Sequence, residues 1–379
     1  MTKYIGLVFK NLTRSKRRTI LTILAIAVSL FIFALLVSLP TFANQVVADS
    51  ASSVRLACRT KMGWDYPLPE AYGVKIDATP HVAAMAACVI YGGVYHDVSD
   101  QFPSLAMDAD KFDVLFPDWG ITGAENFKKT KTSALVTDSA MRRFHLHVGQ
   151  QIQIRGTRFA FNLQLTIVGT IAKGPSPDFL IFRRDYFEEA AGKPGIVDIF
   201  WVRVDDSRNL PQVAADLDQQ FANSSAETRS ESEASFIGSV LARFQVFLKL
   251  AAFIGVVVVV AIGLVAANTA AMSIRERRGE IAVMRAMGFR SRTIFSLLVA
   301  ESLVIALLGG ALGCGAAFVL LSVFSLNADV LGPFAVLRIP PAVLGQAMIV
   351  AMILGVLSAY VPALTASRRN ITESFRLID

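Results

Sequence analysis

Four long apolar runs stand out along the chain, and polar or charged residues flank each of them. They lie at Ile20–Leu39, Phe247–Ala271, Ile294–Leu321 and Val343–Leu364. A helix rises about 1.5 Å per residue, so each run is long enough to cross a hydrocarbon layer of about 30 Å. The pattern therefore predicts four transmembrane helices, the first of which ends at Pro40.

A mixed segment of domain size separates the first apolar run from the second. Alternating runs at Gln151–Ile154 and Leu163–Val168 predict strands, and Asp185–Ala191 and Pro211–Ala222 predict helices. The expected fold class is an α-helical integral membrane protein with four transmembrane helices and a mixed α/β extracytoplasmic domain inserted between helices 1 and 2. From Ser232 the pattern becomes helical and apolar, which predicts one continuous helix from this domain into the second span.

Basic residues are unevenly distributed along the chain. Residues 1–19 contain six Lys or Arg and no acid, residues 273–293 contain six against two acids, and residues 44–242 contain 19 basic and 24 acidic residues. Short loops rich in Lys and Arg stay on the cytoplasmic side of a membrane. We therefore expect a multi-pass membrane protein with both termini cytoplasmic. The overall charge of +7 then reflects topology and contact with the lipid bilayer, not a nucleic-acid partner.

The combined pattern divides the chain into nine segments. The predicted bounds are 1–18 for an amphipathic cytoplasmic helix, 19–43 for span 1, 44–242 for the extracytoplasmic domain, 243–272 for span 2, 273–293 for a cytoplasmic connector, 294–325 for span 3, 326–341 for a short extracytoplasmic loop, 342–365 for span 4 and 366–379 for a cytoplasmic tail. A disordered basic tail is the alternative for the first segment, and a cleaved secretory signal is the alternative for span 1. The length of the first apolar run favours an uncleaved anchor.

Few residues in the sequence suggest catalysis or metal binding. The motifs GxxxxGK[ST], HExxH, CxxC and GxSxG do not occur, so we expect no catalytic residues and no ATPase site in this chain. His145 and His147 have the spacing of one strand face, but the sequence places no third ligand, so we expect no metal site. Cys58 and Cys88 fall in the outside domain, where a disulfide is permitted, and the sequence leaves open whether they bond.

Three residues of the third apolar run are candidates for roles inside the membrane. Glu301 either faces protein or water within the span or lies near the inner interface, because a carboxylate in lipid is costly. Gly309 and Gly313 form a GxxxG motif, which allows another helix to approach closely.

The connector between spans 2 and 3 is short, basic and amphipathic. Ile281, Val283, Met284 and Met287 are expected to form its apolar side, with the charged residues facing solvent, and Gly288 permits a helix stop. A helix of this kind can insert into a groove on a soluble partner.

The stretch ERRGEIAVMRAMGFRSRTIFSLLVAESLVIALLGGALG, residues 276–313, resembles the most recognisable segment of the FtsX/MacB-like permease family of ABC transporters. The order of one span, a large domain and three further spans is similar to that family, as is the tail PALTASRRNITESFR. The resemblance implies a location in the inner (plasma) membrane of a bacterium. It also implies a homodimer, or a heterodimer with a similar permease, that binds separately encoded ABC ATPase subunits. Those subunits would use ATP and Mg, while this chain would bind no cofactor.

By the same resemblance, the connector is a coupling helix that docks on the ATPase. The residues carried over as coupling candidates are Glu276, Arg277, Glu280, Arg285 and Gly288. The alternative is that they are interfacial anchors without a partner.

The resemblance leaves two functions open. The first is mechanotransmission from the ATPase to the outside domain, for export or extraction of a substrate, with a periplasmic adaptor as a further partner. The second is a membrane signal transmitter that activates an extracytoplasmic cell-wall hydrolase. The size of the outside domain favours transport.

Overall fold

The structure is a computed structural model that describes residues 16–63, 66–96, 101–173, 178–324 and 339–368. The helices are α1 Lys16–Asp49, α2 Tyr72–Asp77, α3 Phe112–Leu115, α4 Ala124–Lys129, α5 Asp138–Arg143, α6 Arg184–Ala190, α7 Leu210–Gln220, α8 Glu233–Ala242, α9 Gln245–Glu276, α10 Arg278–Ala286, α11 Ser291–Phe324 and α12 Pro341–Arg368. Most of the predicted N-terminal helix, nearly all of the 326–341 loop and the tail beyond 368 lie outside the described residues.

Thirteen strands complete the described structure. They are β1 Arg55–Thr60, β2 Leu68–Pro69, β3 Val82–Ile90, β4 Gly93–Val94, β5 Gln101–Phe102, β6 Ser104–Met107, β7 Ser133–Thr137, β8 Gln151–Gly156, β9 Asn162–Ile171, β10 Leu180–Arg183, β11 Ile196–Val197, β12 Ile199–Val204 and β13 Thr228–Ser232. Contacts divide the described chain into a helical unit (16–43, 244–323 and 339–368) and an α/β unit (44–243).

Four helices of the described chain, α1, α9, α11 and α12, are long and apolar enough to cross a membrane. A helix satisfies all of its interior backbone groups by itself, which is why apolar runs of this length fold as helices in lipid. Leu30 of α1, Ala306 of α11, and Ala347 and Ala351 of α12 form the centre of their packing. The chain is therefore a multi-pass membrane protein with a mixed α/β domain inserted after its first span.

Helix α1 does not end at Pro40, as the sequence pattern predicts, but continues through this residue to Asp49. Proline removes one hydrogen bond within a helix but does not always stop it. Beyond Pro40, Val46 and Val47 pack against the core of the α/β unit, which stabilises the extra turns.

The α/β unit contains an 11-stranded mixed sheet in the order β13-β1-β12-β3-β6-β10-β7-β9-β8-β4-β5. Strand β6 is parallel to β10, and β7 is parallel to β9, whereas the other pairs in this sheet are antiparallel. A short antiparallel ladder joins β2 to β11. The strands predicted at Gln151 and Leu163 are confirmed as β8 and β9, and the helices predicted at Asp185 and Pro211 are confirmed as α6 and α7.

The two cysteines of the α/β unit are buried free thiols. Cys58 is paired with Phe200 and Cys88 with Ile199, so β12 lies between their strands. Two strand spacings amount to about 10 Å, beyond the roughly 7 Å that a disulfide can bridge between Cα atoms. Burial also raises the pKa of the Cys58 thiol to about 12, so this group stays protonated and unreactive.

The prediction of a single helix from Ser232 into the second span is wrong. Helix α8 ends at Ala242 and α9 begins at Gln245. The Arg243 amide donates to the Val240 carbonyl at 3.3 Å, which is an i→i−3 bond, so the regular ladder is broken there. Phe244, at φ −94° and ψ 0°, then starts the next helix.

Candidate functional site

The connector folds as helix α10, which is held between the end of α9 and the start of α11. Gly288 adopts φ +89°, a left-handed conformation that favours glycine. Its amide donates to the Arg285 carbonyl at 3.0 Å, and the Phe289 amide donates to the Met284 carbonyl at 3.1 Å. These two bonds form a Schellman motif, and the Phe289 and Met284 side chains join one apolar cluster beneath it. The motif fixes where α10 stops and the chain turns towards α11.

One side of α10 packs against all three of the later spans. Ile281 is 6% exposed and lies in a cluster with Ile274 of α9, Ile294 of α11 and Ala363 of α12. The neighbouring Ala282 is 5% exposed. Because interiors are close-packed and resist deformation, a displacement of α10 would be felt by each of these helices.

An ion pair attaches the start of the connector to the third span. The Arg277 guanidinium donates to the Glu301 carboxylate at 2.9 Å, and the side chains are only 11% and 13% exposed. The Glu301 carboxylate therefore faces a protein partner that comes from the connector. A buried carboxylate needs such a partner, since an unpaired charge in a low-dielectric site is strongly unfavourable.

The preceding residue makes a second ion pair, to the first span. Arg18 donates to the Glu276 carboxylate at 2.5 Å and to the Ser273 hydroxyl at 2.9 Å. Two adjacent residues, Glu276 and Arg277, therefore attach the end of α9 to α1 and to α11.

Arg285 makes a third attachment, at the other end of α10. Its guanidinium donates to the Ser291 hydroxyl at 2.7 Å and to the Ser367 carbonyl. This side chain thus links α10 to the start of α11 and to the end of α12.

The opposite side of α10 faces outward. Gly279, Val283, Ala286 and Met287 recur at helical spacings and are exposed, with Val283 at 53% and Met287 at 65%. Arg290 follows them and is exposed as well. We call these five residues the outer face of α10. This face presents two large apolar side chains, Val283 on α10 and Met287 directly after its last residue, and Arg290 follows beyond the Gly288 turn.

The prediction that four apolar residues form one side of the connector helix is therefore wrong in part. Ile281 and Met284 pack inward, whereas Val283 and Met287 do not. A helix turns about 100° per residue, so Ile281 and Val283 point in nearly opposite directions. The spacing of the four apolar residues in the sequence therefore already indicated that they cannot all lie on one side of the helix.

The charged residues also depart from the expectation that they face solvent. Arg277 and Arg285 are turned inward and engaged, and Glu280 is half-buried with an interaction inside the chain. Of the five coupling candidates, Glu276 and Gly288 are exposed. Of the outer face, the sequence analysis names Val283 and Met287 as apolar residues of the connector and misses Gly279, Ala286 and Arg290.

The GxxxG glycines of α11 lie directly against α1. A Cβ atom on Gly309 would stand 2.8 Å from Ile26 Cγ2, and one on Gly313 would collide with the Ala27 carbonyl and lie 3.1 Å from the Phe31 amide nitrogen. Only glycine allows the two backbones this close approach.

The histidine pair does not lie on a strand, which corrects the expected geometry. Helix α5 ends at Arg143, His145 takes φ +50° in a turn, and β8 begins only at Gln151. Among residues 16–63, 66–96, 101–173, 178–324 and 339–368, no group of three or more His, Cys, Asp or Glu side chains could hold a metal ion.

Replacing Gly288 by valine should loosen the end of α10. A Cβ there would meet nothing within 4 Å, so the cost is that of the backbone, about 1–2 kcal/mol for a branched residue at positive φ. We expect normal membrane insertion and weaker binding of a protein that docks on α10, measured by co-purification. Gly345→Val is the matched control, because Gly345 is exposed within helix α12, lies outside α10, and its added Cβ also meets nothing. Equal binding by the two variants would contradict a role for the Gly288 turn.

Comparison with protein families gives two matches that together cover most of the chain. Residues 19–220 match the MacB-like periplasmic core domain, and residues 252–371 match the FtsX-like permease C-terminal domain. The first match alone spans more than half of the chain.

Individual relatives are more distant. An uncharacterized ABC transporter permease of Methanocaldococcus jannaschii is 26% identical over 237 residues, which are 61% of this chain and 58% of that protein. The macrolide export ATP-binding/permease protein MacB 1 of Yersinia pestis is 32% identical over 126 residues, which are 33% of this chain and 18% of that protein. The matches thus cover only part of these relatives.

A solved structure is also similar. It is the periplasmic region of MacB from Actinobacillus actinomycetemcomitans, with a TM-score of 0.37 and 9% identity, over 51% of this chain and 94% of that one. On the strength of the family matches, the chain belongs to the FtsX/MacB-like permease family of ABC transporters.

Proposed function

We propose that this chain is the transmembrane permease subunit of an ABC transporter and that a separate ATPase subunit docks on the outer face of α10. Hydrolysis of ATP, with Mg, takes place in that partner. The permease converts the movement of α10 into movement of the α/β domain on the other side of the membrane, which exports or extracts a substrate. Two permease chains, identical or similar, assemble with the ATPase.

The observation that carries this proposal is the division of α10 into two sides. Its inner side contacts three spans through Ile281, and its outer face leaves Val283 and Met287 uncovered. Apolar side chains at i and i+4 on a short helix suit insertion into a hydrophobic groove of a partner. A force applied to the outer face would pass directly to the spans.

The charge pattern supports docking on the cytoplasmic side, where ATP is available. The 273–293 segment contains six arginines against two glutamates, which by the positive-inside rule keeps it in the cytoplasm. The same rule supports cytoplasmic termini, and we propose the bacterial inner membrane as the location of the chain.

The match of 19–220 to a MacB-like periplasmic core domain favours transport over activation of a cell-wall hydrolase. One relative that shares family resemblance is named for macrolide export. We propose an apolar or amphipathic substrate for this chain, with a periplasmic adaptor as a further partner.

Placing aspartates on the outer face should separate the permease from its ATPase. The double variant Val283→Asp and Met287→Asp puts two carboxylates where the groove expects apolar groups, and each desolvated charge costs several kcal/mol. We expect loss of the ATPase from affinity-purified permease, with membrane insertion unchanged. The measurement is the stoichiometry of co-purified P-loop protein.

Val74→Asp is the matched control, because Val74 is 79% exposed in the α/β unit. It should retain the ATPase at the level of the unmodified chain. Full retention by the α10 variant, at equal expression, would exclude the outer face as the docking surface.

A further inference from the structure

Both connections of the α/β domain to the membrane helices meet at one corner of its sheet. The chain enters the sheet from α1 at Arg55, the first residue of β1, and leaves it at Ser232, the last residue of β13. These strands are antiparallel neighbours with Leu56 opposite Ser232, so the entry and the exit lie side by side. Helix α8 begins directly after this point and leads to α9.

The Arg55 side chain bridges the two connections. Its Nε donates to the Glu233 carboxylate at 2.7 Å, and Glu233 is the first residue of α8. Its Nη2 donates to Asp118 at 2.9 Å, and the guanidinium lies 5.0 Å from the centre of the Phe116 ring. The Arg55 and Glu233 side chains are only 5% and 4% exposed. This is a charge-assisted and largely desolvated contact, which is the strong kind.

Apolar contacts reinforce the same corner. Val46 and Val47, at the end of α1, pack against the core cluster that also receives Val240 of α8. Phe236 of α8 meets the Trp201 ring edge to face at 5.4 Å between centroids. The last turns of α1 and the whole of α8 are therefore held by a single core.

We propose that Arg55 is a positioning residue that locks the two connections into one rigid corner, so that movement of either span displaces the α/β domain as a single body. This rests on the proposed function, because the displacement is the one that the ATPase drives. Helix α1 enters the domain without a break, whereas α8 and α9 are separate helices. The contact of Arg55 with Glu233 therefore joins the broken connection to the continuous one.

A second buried ion pair in the same domain provides the control. Arg143 donates to Asp178 at 3.0 Å, and these side chains are 6% and 5% exposed. Arg143 is the last residue of α5 and belongs to neither connection. Arg55→Gln and Arg143→Gln therefore remove comparable buried charges, but only the first removes the bridge.

The test uses the full chain in its ATPase complex, with spin labels at Lys249 of α9 and Val148 of the α/β domain, both exposed. The distribution of label distances is measured without nucleotide, and again after trapping with ATP and vanadate. We expect Arg55→Gln to broaden the nucleotide-free distribution about two-fold, because the polar network that rigidified the corner is lost. Arg143→Gln should keep the width of the unmodified chain. If Arg55→Gln does not fold, Glu233→Gln, which keeps the shape and removes the charge, should give the same broadening.

The outcomes separate the two proposals. An unchanged width in both Arg55→Gln and Glu233→Gln overturns the lock, as does equal broadening in Arg143→Gln. A distribution in the unmodified complex that does not shift with ATP contradicts the proposed function, while the nucleotide-free width still decides the lock.

Discussion

Replacing Arg277 by glutamine should destabilise the folded chain by about 3–5 kcal/mol, because the substitution leaves the Glu301 carboxylate buried without its charged partner. The pair joins the connector to the third span, and both side chains are nearly covered. Around a membrane helix the alternative to a protein partner is lipid, where a charge is costlier still. The measurement is the thermal unfolding midpoint of the purified chain in detergent.

The pair, rather than Arg277 alone, should account for the loss. The double variant Arg277→Gln with Glu301→Gln removes both charges and should recover most of the stability, since two neutral amides can still hydrogen-bond. Arg275→Gln is the matched control, because this arginine is exposed at the end of α9, two residues before Arg277, and it should stay within about 0.5 kcal/mol of the unmodified chain. Failure of the double variant to improve on the single one would show that the ion pair is not the source.

Replacing Gly313 by leucine should push the third span away from the first. Even a single Cβ would collide with the Ala27 carbonyl, and the Phe31 amide nitrogen lies 3.1 Å from it on the same helix. Backbone atoms cannot rotate aside as a side chain can, so we expect at least the upper end of the usual overpacking cost, about 3 kcal/mol. The fraction of protein that stays monodisperse after heating reports the effect.

Gly315 provides a close control for this variant. It lies two residues further along the same helix, is exposed, and an added Cβ meets nothing within 4 Å. Gly315→Leu should behave as the unmodified chain does, apart from the improved helix propensity. Similar losses at the two positions would mean that α11 does not depend on a close approach to α1.

The spans and their order could be predicted from the sequence because the bilayer imposes one simple requirement. A run of about 20 apolar residues must form a helix there, whatever surrounds it. Ile20–Leu39 and Phe247–Ala271 meet that requirement without any knowledge of their neighbours. The end of α1 is different, because the turns beyond Pro40 depend on Val46 and Val47 finding the core of the α/β unit.

The topology of the sheet could not be predicted, because its pairings join distant segments. The sequence leaves open whether Cys58 and Cys88 bond, and the answer depends on β12, more than a hundred residues later, which lies between their strands. The parallel pairs of β6 with β10 and β7 with β9 have no local signal either.

The sequence predicts the position of the connector helix but not which of its side chains face inward. The basic connector and Gly288 mark a short helix with a stop, which is what the structure has. Whether Arg277 faces solvent or Glu301 depends on tertiary packing, which residue type alone does not determine. The break at Arg243 and Phe244 could not be predicted, because no glycine or proline lies there in the sequence.

The central claim is that the outer face of α10 is the surface on which a separate ATPase docks. A photo-crosslinking amino acid at Met287, which is 65% exposed, tests it directly in cells that contain the intact complex. We expect irradiation to join the permease to a P-loop ATPase from this position, and not from Val74 in the α/β unit. An ATPase that is present in the purified complex but crosslinks from Val74 and not from Met287 would contradict the claim.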